Sequence, residues 1–286
     1  MCYTYGVLST LPILLAGLSA GVWGTGDFSG GKASQRANPL AVALVSQLLG
    51  LPVLAICLAL LPGDGPTVAD LGYGAIAGVA GFAGILLLYR GLSQGAMAVF
   101  APISAVTSAL IPLVVGLMTQ QAPSAIALLG AAFAIVAIGL VSMSGGRGGV
   151  VTPKLVGLAL ATGVMFGIFF AVLGLAGSGA GVWPMVGVRI GSVGVGLIAA
   201  AATRTSLRLP AGTWRWTATA GVFDIAANVL YVLATERGQL SIVAPIAALY
   251  PVSTVLLALA VDRERVRPVQ LAGLGLAATA LVLVAT

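Results

Sequence analysis

The chain has 286 residues, 59% of them hydrophobic and only 7% charged, with a mean hydropathy of +1.13. That apolar share exceeds that of an ordinary water-soluble domain and predicts a polytopic membrane protein. Without histidine, and with two cysteines (Cys2 and Cys57) outside any CxxC or metal-type spacing, the chain is not expected to carry a disulfide framework, thiol chemistry or histidine-based catalysis.

In chain order, a window of roughly 20 residues finds ten apolar spans at 7–27, 39–61, 70–90, 95–118, 123–142, 154–176, 182–202, 212–235, 240–260 and 266–285. The first run lacks a basic leading segment and continues into Trp23 and Gly24, so it is expected to be a retained helix rather than a cleaved signal. Turn chemistry marks the connections: Ser29-Gly30-Gly31, Pro62-Gly63-Asp64-Gly65-Pro66, Gly145-Gly146 with Gly148-Gly149, and 177–181. None is long enough for a soluble domain. Each span is continuous and longer than the roughly 10-residue alternating strands of a membrane barrel, which makes the class all-α integral membrane. The pairs Gly17/Gly21, Gly74/Gly78 and Gly187/Gly191 either let helices approach closely or arise by chance among 40 glycines.

Ala101-Pro102-Ile103 recurs as Ala244-Pro245-Ile246, an offset of 143 residues that also carries Gly24 to Gly167, Gly95 to Gly238 and Gly130 to Gly273. With five spans on each side, this predicts two repeats, 1–146 and 147–286. An odd number of spans per repeat inverts the second repeat relative to the first. Loop charges agree. Lys32, Arg36 and Arg90 follow spans one and three, whereas Arg204, Arg208, Arg215, Arg263, Arg265 and Arg267 follow spans seven and nine. With Arg147 and Lys154 of the central linker, eleven basic residues share one side against Arg237 on the other. The positive-inside rule makes that side cytoplasmic and puts both termini outside. This scattered distribution explains the net charge of +6 as a topology signal and argues against nucleic-acid binding. Trp183, Trp214 and Trp216, at predicted helix starts, read as an interfacial belt.

Charge inside the spans is confined to Arg189 and Asp224, with Asp27, Arg90 and Glu236 near span ends. Arg189 and Asp224 lie about 13 and about 11 residues from the same membrane face, depths only about 3 Å apart at 1.5 Å per residue, so a salt bridge is geometrically open. They either tie two helices together or line a cavity and handle substrate or a proton. Asn228 and Tyr231 continue the Asp224 face at spacings of four and seven. Gln47, Tyr250 and Trp23 are further candidates for the same cavity, Trp23 as a flat apolar wall for organic solutes. Pro102 and Pro112 in span four, and Pro245 and Pro251 in span nine, are expected kinks, since each removes a backbone donor and displaces a carbonyl. The motifs GxxxxGK[ST], HExxH and GxSxG are absent, so no enzyme activity, cofactor or metal is implied.

Trp23-Gly24, the fourth-span Ala101-Pro102-Ile103 with Ala105, and the ninth-span LSIVAPIAALYPVSTVLLA resemble the EamA-type transporters of the drug/metabolite transporter superfamily over essentially the whole chain. Asp262-Arg263-Glu264-Arg265 matches that family's acidic-basic pair before the last helix, whereas the first half reads Thr119-Gln120-Gln121, so a role for that acid cannot be symmetric. The resemblance implies two inverted five-helix repeats around a central cavity, alternating access, and movement of small metabolites such as amino acids or drugs. Exchange, proton coupling and facilitated diffusion stay open. The expected function is a secondary transporter, an exporter, working among membrane lipids. A partner or structural subunit without transport and a lipid-modifying enzyme are the alternatives, the latter disfavoured by the sparse acids Asp64 and Asp70.

Overall fold

The computed structural model describes residues 10–61, 65–94, 97–118, 125–142, 152–173, 176, 179–237, 247, 250–261 and 268–284. Among these, every regular element is helical: α1 (Thr10–Ser34), α2 (Pro39–Leu49), α3 (Leu51–Leu60), α4 (Val68–Leu92), α5 (Met97–Met118), α6 (Ala125–Ser142), α7 (Pro153–Leu173), α8 (Pro184–Ala202), α9 (Trp214–Arg237), α10 (Tyr250–Val261) and α11 (Pro268–Val284). A short 3-10 turn at Ala211–Thr213 leads into α9. Among the described residues five stretches are long and apolar enough to cross a membrane: Pro39–Leu60, Val68–Leu92, Pro153–Leu173, Pro184–Ala202 and Ala211–Ala234. Leu14, Ile56, Ile190 and Ile198 turn outward, as apolar side chains do where the surroundings are lipid.

Local chemistry explains the helix boundaries. Thr67 and Asp70 form a capping box at the start of α4: Thr67 Oγ1 accepts from the Asp70 amide at 3.1 Å, and Asp70 Oδ2 accepts from the Thr67 amide at 3.2 Å. Asn38 caps α2 by accepting from the Leu40 amide at 2.9 Å. The second expected span is two helices, α2 and α3, meeting at Gly50. Pro52 is the reason, because it has no N–H to give the carbonyl four residues earlier.

The first span also differs from expectation. Ser29-Gly30-Gly31 is not a turn, since α1 runs through it to Ser34. Those glycines serve packing: a Cβ on Gly30 would fall 2.0 Å from the ring of Tyr89 on α4. Asp27, expected near the end of its span, therefore sits well inside α1. The glycines of the later connections do turn the chain, Gly65, Gly179 and Gly181 all having positive φ.

Helices from the two halves pack on one another in matched fashion. α1 lies along α9 and α10, while α7 lies along α4 and α5; α4 crosses α8, as α2 crosses α9; α6 packs on α11. At one crossing the 143-residue offset carries a contact over residue for residue. Gly24 backs onto Tyr250, Ser253 and Thr254, and Gly167, its counterpart, backs onto Ile111, the counterpart of Thr254. Of the three glycine pairs, Gly74/Gly78 and Gly187/Gly191 mesh in one seam, where α4 and α8 touch backbone to backbone: added Cβ atoms would lie 2.2 Å from Val188 O at Gly78 and 2.0 Å from Ala75 O at Gly191. Gly17 and Gly21 face open space.

The α1–α2 turn and the segment before α9 lie together at one end of the bundle, where Ala33, Leu40, Leu209 and Trp216 share a core and Phe28 packs edge-on to Trp216 at 6.2 Å. Arg36, Arg204, Arg208 and Arg215 are all exposed.

Candidate functional site

The site begins with three helix crossings. The α4–α8 seam sets Val188 against Gly78 and thereby fixes Arg189, the next residue. α2 meets α9 at Gly221, whose added Cβ would lie 2.0 Å from Ser46 O, so Gln47 and Asp224 are brought to one level. α1 runs antiparallel to α9, with Ser19 Oγ donating to Ala227 O at 2.8 Å and Gly26 against Phe223, which places Trp23 opposite Asp224.

At the meeting point, the Arg189 guanidinium donates through Nη2 to Asp224 Oδ2 at 2.5 Å and through Nη1 to Gln47 Oε1. Ser192, three residues after Arg189 on the same face of α8, donates to Gln47 Oε1 at 3.2 Å. Asn228 Nδ2 donates to the Asp224 carbonyl at 2.7 Å and lies 3.4 Å from Asp224 Oδ1. The electrostatic logic is strict. A guanidinium that is 4% exposed would be strongly unfavourable unpaired, and Asp224 and Gln47 supply the compensation. Asp224 is 21% exposed, so its carboxylate still meets the space beside it.

That space is a pocket open on one side, with about 600 Å³ of space between its walls when its open mouth is counted. Trp23, Asp27, Gln47 and Phe82 from the first half line it, with Phe166, Phe169, Phe170, Arg189, Ser192, Asp224, Asn228 and Tyr250 from the second. Its aromatic side is a cluster on Trp23, which meets Phe170 edge-on at 6.0 Å, Tyr231 at 5.7 Å and Tyr250 at 6.4 Å. Such a wall accepts flat or apolar organic bodies. The Tyr250 hydroxyl, near Ser104, makes no hydrogen bond of normal geometry among the described residues; Ser104 Oγ donates to Ala101 O at 2.9 Å instead.

Of the residues singled out in the sequence, Trp23, Gln47, Arg189, Asp224, Asn228 and Tyr250 thus meet around one cavity. Tyr231 stands behind it, packed on Trp23 and Phe170. Pro102 is buried in α5, which continues as helix through both Pro102 and Pro112. Pro251 is the second residue of α10, and Pro245 lies outside the described residues.

Five lining residues, Ser192, Phe166, Phe169, Phe170 and Asp27, are not among the cavity candidates read from the sequence, which places Asp27 only near a span end. Ser192 follows Arg189 by three residues, and Phe166, Phe169 and Phe170 recur at helical spacing on α7, signals that are legible only once those faces are known to point inward. Asp27 follows Trp23 by four residues and shares its face of α1. Among the described residues no group of His, Cys, Asp and Glu is arranged to hold a metal ion.

None of the curated proteins compared matches the chain. A solved crystal structure, described only as that of a protein, superposes with a TM-score of 0.64 over 95% of this chain and 94% of its own, at 16% identity. A likeness at that identity is one of fold. The profile of the EamA-like transporter family matches twice, over residues 10–143 and 154–286, so that its two repeats take in nearly the whole sequence. With that match over an all-helical bundle of apolar helices, the chain belongs to the EamA-like transporter family, part of the drug/metabolite transporter superfamily, and is a multi-pass membrane protein.

Proposed function

We propose that this transporter is a secondary carrier that exports small organic metabolites, amino acids or related compounds and drugs among them, by alternating access. The observation that carries the reading is the pocket itself: mainly apolar, aromatic-walled space, lined from both halves and bordered by a paired guanidinium and carboxylate. A small molecule with an apolar body and one or two polar groups fits such walls. Trp23 and Tyr250 would hold the body, while Gln47, Arg189, Asp224 and Asn228 form the polar side, with Tyr231 supporting Trp23 from behind.

Alternating access needs two halves that can rock about a shared site. Three features support ten spans in two inverted repeats, 1–146 and 147–286: the twofold family match, the paired packing of α1 on α9 with α7 on α4, and the 143-residue correspondence of one contact. In this reading the basic end of the bundle, with Arg36, Arg204, Arg208 and Arg215, is cytoplasmic and both termini are outside. Bends at Pro102, Pro112, Pro245 and Pro251 would give spans four and nine their pivots.

The reading is tested by flux into proteoliposomes across a panel of amino acids and cationic drugs, with and without a pH gradient. Saturable flux of at least one solute is the expected result, and its dependence on the gradient distinguishes proton coupling from facilitated diffusion. Absence of flux for every solute would instead favour a partner subunit without transport.

A further inference from the structure

One charged group of the cavity has no counterpart in the network. Asp27 lies seven residues before the end of α1, about 10 Å along the axis at 1.5 Å per residue, half-buried and on the cavity wall. Arg189 is the one cation among the described lining residues, and both of its Nη groups are taken by Asp224 and Gln47. Among the described residues nothing hydrogen-bonds to Asp27 or pairs with it, and it lines the same cavity as Asp224. With both acids ionised, two carboxylates would face one guanidinium and leave the cavity one negative charge in excess. A carboxylate at this depth calls for a counter-charge, and no described protein group provides it.

A second observation points to a ligand independently. Gln47 is 2% exposed and its Oε1 is engaged, yet its Nε2 has no acceptor. A buried donor without a partner is costly; an ammonium cannot accept from it, so this group asks for an oxygen acceptor elsewhere on the same ligand. The Trp23 ring, at helical spacing four from Asp27, adds an aromatic surface suited to a cation beside the carboxylate.

We propose that Asp27 is the cation-binding carboxylate of the cavity: it receives a protonated amine whose apolar body rests on Trp23 and Phe170, while Asp224 stays paired with Arg189. The proposal rests on reading the cavity as the substrate site, and it divides the two acids by task. Asp224 neutralises Arg189 so that the cavity does not repel cations; Asp27 attracts them.

The test is equilibrium binding to the purified full chain in nanodiscs, using 2-phenylethylammonium and its neutral analogue 2-phenylethanol. Wild type should prefer the ammonium by about tenfold or more, the scale of one charge-assisted contact. Asp27→Asn should bind both alike, and Asp27→Glu should restore the preference in part. A wild-type measurement covers the case in which Asp27→Asn fails to fold: dicyclohexylcarbodiimide labelling of Asp27, read by mass spectrometry, should be blocked by the ammonium and not by the alcohol. An undiminished preference in Asp27→Asn, equal binding of both probes by wild type, no binding of the ammonium, or labelling that the ammonium does not block would each overturn the assignment. Failure of the transport reading is separable. Flux of neutral solutes without cation preference sinks the role of Asp27 alone, whereas Asp27-dependent binding with no flux sinks transport alone.

Discussion

The Arg189–Asp224 pair permits a quantitative test, because its two members are unequally buried. Replacing Asp224 with Leu leaves a guanidinium that is 4% exposed with Gln47 Oε1 as its remaining acceptor. Breaking a buried pair from one side costs about 3–5 kcal/mol, and this variant should fall in that range. Replacing Arg189 with Met leaves a carboxylate that is 21% exposed to the cavity, where water or a proton can relieve it, so the loss should be nearer about 1–3 kcal/mol. The double variant removes both charges and should return to within about 1–2 kcal/mol of wild type, since replacing both members with apolar residues is often close to neutral. Reversible SDS unfolding in mixed micelles measures all four corners of this double-mutant cycle. A coupling energy of about 3 kcal/mol or more is expected. Additive single effects, or a larger loss for Arg189→Met than for Asp224→Leu, would refute the argument that the guanidinium is the costly buried partner.

Asp224→Asn should abolish flux in proteoliposomes while the protein still reaches the membrane in normal amount, because the freed charge of Arg189 then faces the cavity; a normal rate would contradict this. Gly78→Ala would drive a Cβ to 2.2 Å from the Val188 carbonyl and should lower stability by about 1–3 kcal/mol, seen as a lower melting temperature in detergent. Gly17→Ala meets nothing within 4 Å and should be neutral or stabilising by up to about 1 kcal/mol in the same assay. Thr67→Ala removes the acceptor that holds the Asp70 amide and should cost about 0.5–2 kcal/mol, with faster amide exchange in the first turn of α4.

Much of the architecture is legible in the linear chain because the bilayer imposes simple rules. Long apolar runs must be helical to satisfy their backbone groups, so the all-helical class follows from hydropathy. The rise per residue put Arg189 and Asp224 at matching depths, and the structure pairs them at 2.5 Å. The 143-residue offset seen in Ala101-Pro102-Ile103 and Ala244-Pro245-Ile246 is carried through to the contact of Gly24 on Thr254 and Gly167 on Ile111.

Other features depend on what each helical face meets, which periodicity does not specify. Ser29-Gly30-Gly31 reads as a turn until Tyr89 is seen to need that space. Gly17/Gly21 and Gly74/Gly78 look alike as sequence, yet only the second pair has a backbone opposite it. Tyr231 shares the helical face of Asp224 and Asn228, but the Trp23 and Phe170 rings come between it and the cavity. Gln47 is a cavity candidate and Asp27 a charge near a span end in the chain, but they are brought to the same cavity only because α2 and α1 cross α9 at Gly221 and Gly26. Hydropathy and spacing alone determined that this is a membrane-embedded helical repeat with a scarce pair of buried charges. Tertiary packing alone decided that the pair closes on itself and that Asp27 is left facing the cavity, because charge neutralisation depends on distances between helices and not on distances along one.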